Sequence, residues 1–164
     1  MLGNCPAPIH YVALGDSTVE GVGDRAIKLR PDLITLSIGP NDITHAIPVA
    51  RYEQNLDVIL GRLRSETTAL IVVNLIPDLA VTPRFAQGPH ADAVGGQTVL
   101  FNKALARKAG EHGVELVDLY LPSREEVPRQ STLLWKDGYH PSDAGYARWA
   151  ELMWEGIEPH LAGC

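Results

Sequence analysis

A chain of 164 residues, 45% hydrophobic and 21% charged, suits one compact domain with a real core, residues 1–164 forming a single unit. Its net charge of −6 argues against nucleic acid or an anionic membrane as partner, and no apolar run is long enough to span a bilayer; residues 69–76 come nearest and include Asn74. Cys5 and Cys164 are too few and too far apart for a disulfide framework or a metal site. The first residues carry no basic stretch followed by an apolar run, so the expectation is a cytoplasmic protein without an export signal.

Along the chain, residues 9–14 form the first run rich in aliphatic side chains, and residues 33–38 the second. Both read as buried strands, with turn-forming residues following them. Tyr52, Leu56, Ile59, Leu60 and Leu63 then recur every three or four residues, as on one face of a helix. A third strand is predicted over 70–75. A second helix follows, carrying Leu100, Phe101, Ala104 and Leu105, with Gly110 and Gly113 as stops. The fourth strand is predicted over 114–119. A last helix should begin near Pro141 and bury Ala147, Ala150, Trp154 and Ile157. Near-continuous apolar strands alternating with helices predict an α/β three-layer sandwich around a small, mostly parallel, doubly wound sheet of flavodoxin-like type. Such sheets bind ligands at the carboxyl ends of their strands.

Three segments at those ends hold chemically able side chains. Gly15-Asp16-Ser17 follows the first strand, where a serine projects into the crevice and turn amides face a developing oxyanion. Gly39-Pro40-Asn41-Asp42 follows the second, and Asn41 offers an amide N–H to the same oxyanion. Asp137-Gly138-Tyr139-His140-Pro141 precedes the last helix. A carboxylate three residues before a histidine can accept one ring N–H and leave the other nitrogen as a base. Taken singly, each segment has a plainer use as a helix cap or a turn.

Together and in this order, the three segments resemble the SGNH hydrolases, the GDSL-type esterase and lipase family. Weaker echoes lie at Asn74-Leu75-Ile76-Pro77-Asp78, Val117-Asp118-Leu119-Tyr120 and Gly145-Tyr146-Ala147-Arg148-Trp149. The resemblance implies a serine hydrolase that cleaves a small-molecule carboxylic ester through an acyl-serine. Ser17 is then the nucleophile, His140 the base and Asp137 its orienting partner. Asn41 and the Ser17 backbone N–H stand in the oxyanion hole, and neither metal nor organic cofactor is implied.

The family pattern also has a helix, a second strand and an oxyanion glycine between the serine and the Gly-x-Asn-Asp segment. Here residues 18–32 are too few for that block, and Gly21 and Gly23, the nearest candidates for the glycine, read as part of the loop after the serine. The alternative reading is therefore a hydrolase-fold protein with weak or no activity, since one oxyanion donor is worth about 100- to 1000-fold in turnover. Without the block, the first strand should lie at a sheet edge, and a homodimer through that strand is expected. A nucleotide-binding reading of Gly21-Val22-Gly23-Asp24-Arg25-Ala26 fits poorly, because the fingerprint should open directly from a strand and residues 16–20 intervene. An α/β-hydrolase elbow would need glycine where Val19 stands. His45, His90 and His112 lack metal-ligand spacing.

Overall fold

The computed structural model describes residues 8–15, 23–86, 88 and 90–161. Cys5 and Cys164 lie outside them. Four strands, β1 (Tyr11–Gly15), β2 (Leu33–Ser37), β3 (Leu70–Asn74) and β4 (Glu115–Val117), pair in parallel in chain order. Each coincides with a predicted apolar run, β1 starting and ending slightly later. Side-chain alternation splits the strands between two cores. Leu14, Ile34, Leu36, Ile71 and Val73 point to one, and Leu33, Val72 and Val117 to the other.

The connections explain which helices cover which face. β1 leads through α1 (Gly23–Lys28) to β2, β2 through α2 (Pro40–Thr44) and α3 (Val49–Glu66) to β3, and β3 through α4 (Pro83–Ala86) and α5 (Ala91–His112) to β4. All three crossovers advance the same way across the sheet, so right-handed connection puts α1, α3 and α5 on one face. Ala26, Tyr52, Leu56, Leu60, Phe101 and Leu105 fill that core, with the Tyr52 and Phe101 rings 4.6 Å apart. Gly113 ends α5 in the left-handed region (φ 61°), whereas Gly110 lies within the helix. Leu100 faces solvent. After α6 (Tyr120–Glu126), α7 (Asp143–Leu161) crosses the opposite face and completes the three layers.

Helix α7 corrects the predicted stripe. Ile157 is buried as expected, but its partner is Met153, while Ala147, Ala150 and Trp154 are exposed. Gly156 brings the helix close to Val117, since a Cβ there would strike Val117 Cγ2. That contact seats α7 toward β4. One short helix joins β1 to β2 on the other face, so among the described residues nothing covers the Tyr11 and Ala13 side of β1. Trp154, half exposed at 50%, overlooks this open groove instead of a core. β1 has β2 as its one strand neighbour among the described residues and lies at the sheet edge, as the shortened connection predicts.

Candidate active site

The carboxyl ends of β1 and β2 meet where Gly15 pairs with Ser37. Asp16 and Ser17 follow Gly15 directly but lie outside the described residues, as does the Ser17 backbone N–H. Beyond Ser37 the chain turns sharply through Gly39 into α2. Gly39 has φ 121°, and a Cβ there would strike Ile76 Cδ1 and sit 3.1 Å from the Tyr52 hydroxyl. Only glycine meets both demands. The Tyr52 hydroxyl donates to the Ile38 carbonyl over 3.3 Å and fixes the turn from beneath. Asn41 consequently stands in the first turn of α2, partly buried. Its carbonyl accepts from the His45 backbone N–H at 2.9 Å and from His45 Nδ1 at 2.7 Å. His45 thus closes the end of α2.

The second half of the site is the loop before α7. Leu134 bridges Pro141, the Trp135 N–H donates to the His140 carbonyl at 2.8 Å, and Gly138 turns in the left-handed region at φ 65°. Inside this turn, Asp137 Oδ1 accepts from the Tyr139 and His140 backbone N–H groups, each at 3.0 Å. Asp137 Oδ2 accepts from His140 Nδ1 at 2.6 Å. The His140 side chain's hydrogen bond, helped by the backbone amides, holds the Asp137 carboxyl below its ordinary value. A carboxylate anion can only accept, so the proton sits on Nδ1 and the lone pair on Nε2. The imidazole is therefore in the tautomer a base requires.

Neighbouring elements lock this loop. The Arg84 N–H, in α4, donates to the Gly138 carbonyl at 3.1 Å. The Tyr139 ring lies edge-on to both Phe85 and His140, at centroid distances of 5.8 and 4.8 Å. Ser142 caps α7, its Oγ accepting from the Gly145 N–H at 3.2 Å. Pro141 therefore precedes the helix by two residues. Gly145 lies against the Leu133 carbonyl, where a Cβ would collide.

The structure brings His140 and the start of α2 to one cavity of about 110 Å³, whose wall includes Ser37, Pro40, Tyr139 and His140. The remaining wall is chiefly apolar, with Leu79, Leu119, Leu133, Leu134 and Leu152. Sequence reasoning did not find these residues. Tyr139, inside the segment that carries the base, does line the cavity, whereas nearby Trp135 is 56% exposed. Asn102 also escaped sequence reasoning. This buried side chain on α5 hydrogen-bonds both the N–H and the carbonyl of Ile76, the residue packed on Gly39. Among the described residues, no group of three or more His, Cys, Asp or Glu side chains is placed to hold a metal.

Known esterases resemble this chain over most of its length. The chain is 27% identical over 146 residues to a multidomain esterase of Ruminococcus flavefaciens, covering 88% of this chain and 18% of that protein. It is 23% identical over 150 residues to esterase TesA of Pseudomonas aeruginosa, covering 90% and 67%. Among solved structures, a lipase/acylhydrolase from Enterococcus faecalis superposes with a TM-score of 0.62 at 23% identity, covering 79% of this chain and 63% of that one. The acetyl xylan esterase AlAXEase gives 0.68 at 16%, covering 82% and 71%. The chain thus spans about a fifth of the first relative and under two thirds of the first structure. Residues 15–148, from the end of β1 into α7, match the model of one family, so the chain belongs to the GDSL-like lipase/acylhydrolase family.

Proposed function

We propose that this chain hydrolyses carboxylic esters with Ser17 as nucleophile. Ser17 Oγ attacks the carbonyl carbon while its proton passes to His140 Nε2. The tetrahedral oxyanion is met by the Asn41 side-chain N–H and the Ser17 backbone N–H. Collapse expels the alcohol, which takes the proton from His140 and leaves an acyl-serine. Water, deprotonated by the same imidazole, then releases the acid and restores Ser17. Asp137 touches neither substrate nor nucleophile. It holds the imidazole in its working tautomer and balances the charge gained in each proton transfer.

The observation that carries the reading is the Asp137–His140 pair, at 2.6 Å with Nδ1 as donor, on the wall of a cavity shared with Ser37 and Pro40. Ser17 lies two residues beyond Gly15, the register partner of Ser37. That spacing supports a serine at the same cavity. Esterase relatives over most of this chain support the reaction class.

The test is hydrolysis of short nitrophenyl esters by wild type, Ser17→Ala, His140→Ala and the double variant. Each single change should remove nearly all activity and the double little more, because residues acting as a unit are non-additive. A serine-directed phosphonate should label wild type and not Ser17→Ala. Full activity in Ser17→Ala would overturn the mechanism.

A further inference from the structure

Two cavities flank α7, and Trp149 stands between them. The smaller, about 110 Å³, adjoins His140. The larger, about 490 Å³, is the groove between α7 and the side of β1 that no described residue covers, bounded by Tyr11, Thr35, Met153 and Trp154. Among the described residues, Ser37 and Trp149 are the two that line both. Ser37 belongs to the sheet floor. The wall is therefore the Trp149 indole, held parallel to the Tyr146 ring at 6.3 Å and packed on the second core.

We propose that the small cavity takes the acyl chain of the ester and that Trp149 sets its length, shutting the chain out of the groove. This rests on the ester-hydrolase reading above. The lining of Leu119, Leu133, Leu134 and Leu152 suits a hydrocarbon and gives an alcohol or sugar few partners. An apolar cavity of about 150 Å³ holds a benzene ring, so this one takes an acyl chain of about four carbons. Toward α6 the cavity ends on the Glu126–Arg148 ion pair, whose guanidinium Nη2 donates to the carboxylate at 2.8 Å. A longer chain would have to desolvate that pair. The apolar continuation lies past Trp149, where the groove opens toward Met153 and Ile157.

The experiment is kcat/KM for nitrophenyl esters from two to twelve acyl carbons. Wild type should peak near four carbons and fall at least about tenfold by eight, since each methylene that does not fit is worth about tenfold or more. Trp149→Leu should raise the eight-to-four ratio at least about tenfold, and Trp149→Phe should keep the wild-type ranking. Adding Ala150→Phe to Trp149→Leu should take the gain away, because Ala150 lines the groove and not the small cavity. Ala150→Phe alone should leave the wild-type profile unchanged. Circular dichroism and activity on the acetyl ester report folding for every variant. Should Trp149→Leu fail to fold, Trp149→Phe with Ala150→Phe still decides: a wild-type enzyme that already prefers twelve carbons and loses them on Ala150→Phe has its chain in the groove, which overturns the proposal. Ser17-dependent hydrolysis with an unchanged profile in Trp149→Leu overturns the partition alone. No Ser17-dependent hydrolysis at any length overturns the ester-hydrolase reading itself.

Discussion

Asn102 grips the Ile76 peptide on both sides, Oδ1 accepting from its N–H at 2.8 Å and Nδ2 donating to its carbonyl at 2.9 Å. The pair links the middle of α5 to the segment after β3, and both residues are buried. Ile76 in turn packs on Gly39, one step from the turn that carries Asn41. The clamp thus holds the floor under one half of the candidate site.

Asn102→Leu should therefore destabilise the fold by about 2–4 kcal/mol, because it strands a buried donor and a buried acceptor. Urea denaturation measures this directly. Asn102→Asp keeps an acceptor for the Ile76 N–H but sets an anion against the carbonyl, so it should not rescue the loss. Wild-type stability in Asn102→Leu would show that water satisfies the Ile76 groups.

Gly39→Ala tests the same contact from the other side. At φ 121° the new methyl is strained and meets Ile76 Cδ1, so the turn must shift or Ile76 must move. The expected result is a loss of about 1–3 kcal/mol with a fall in kcat, because Pro40 and Asn41 move with the turn. A kcat equal to wild type would separate this turn from catalysis.

Asp137 governs the response to acid. Its carboxyl lies below the ordinary value, first through the His140 side chain and then through backbone amides. A depressed acid stabilises the fold above its unfolded value, about 3.9, and that contribution disappears as pH falls through the folded value. The melting difference between wild type and Asp137→Asn should thus be constant near neutrality and vanish only in strong acid. Asp137→Asn should lower turnover by about 100- to 10,000-fold at neutral pH with the fold intact, because an amide permits the wrong tautomer. Activity lost only together with the circular dichroism signal would contradict this.

These relationships differ in how far the sequence reveals them. The strands were legible because Val, Ile and Leu fill them almost without break, as a sheet covered on both faces requires. Asp137 and His140 were legible because three residues of spacing suffice for their contact. The stripe on α7 was not. Ala147, Ala150 and Trp154 have helical spacing, but which face is buried depends on whether a neighbour covers β1, and the periodicity carries no such information. Asn102 resembles any polar residue on a helix, and its partner lies 26 positions away. Ser17 lies outside the described residues.

The edge strand gives the last prediction. The Leu33 N–H donates to the His10 carbonyl at 3.2 Å, and the His10 N–H donates to Asp32 Oδ2 at 2.9 Å. In a parallel pair, alternate residues direct both backbone groups to the same side. Residues 10, 12 and 14 therefore bond toward β2, while Tyr11, Ala13 and Gly15 present theirs to the open edge. A second copy pairing there would continue the sheet across a two-fold axis. Proline at Ala13 removes one outward donor and leaves the β2 ladder whole, whereas proline at Val12 breaks that ladder. Wild type should then sediment as a dimer at high concentration, Ala13→Pro as a folded monomer, and Val12→Pro should lose stability by about 3 kcal/mol or more. Hydrogen exchange gives a second readout, with the Tyr11 and Ala13 amides protected only where the dimer forms. A monomer at every concentration, with those amides exchanging freely, would rule the pairing out and leave β1 an open edge guarded at its start by Pro8.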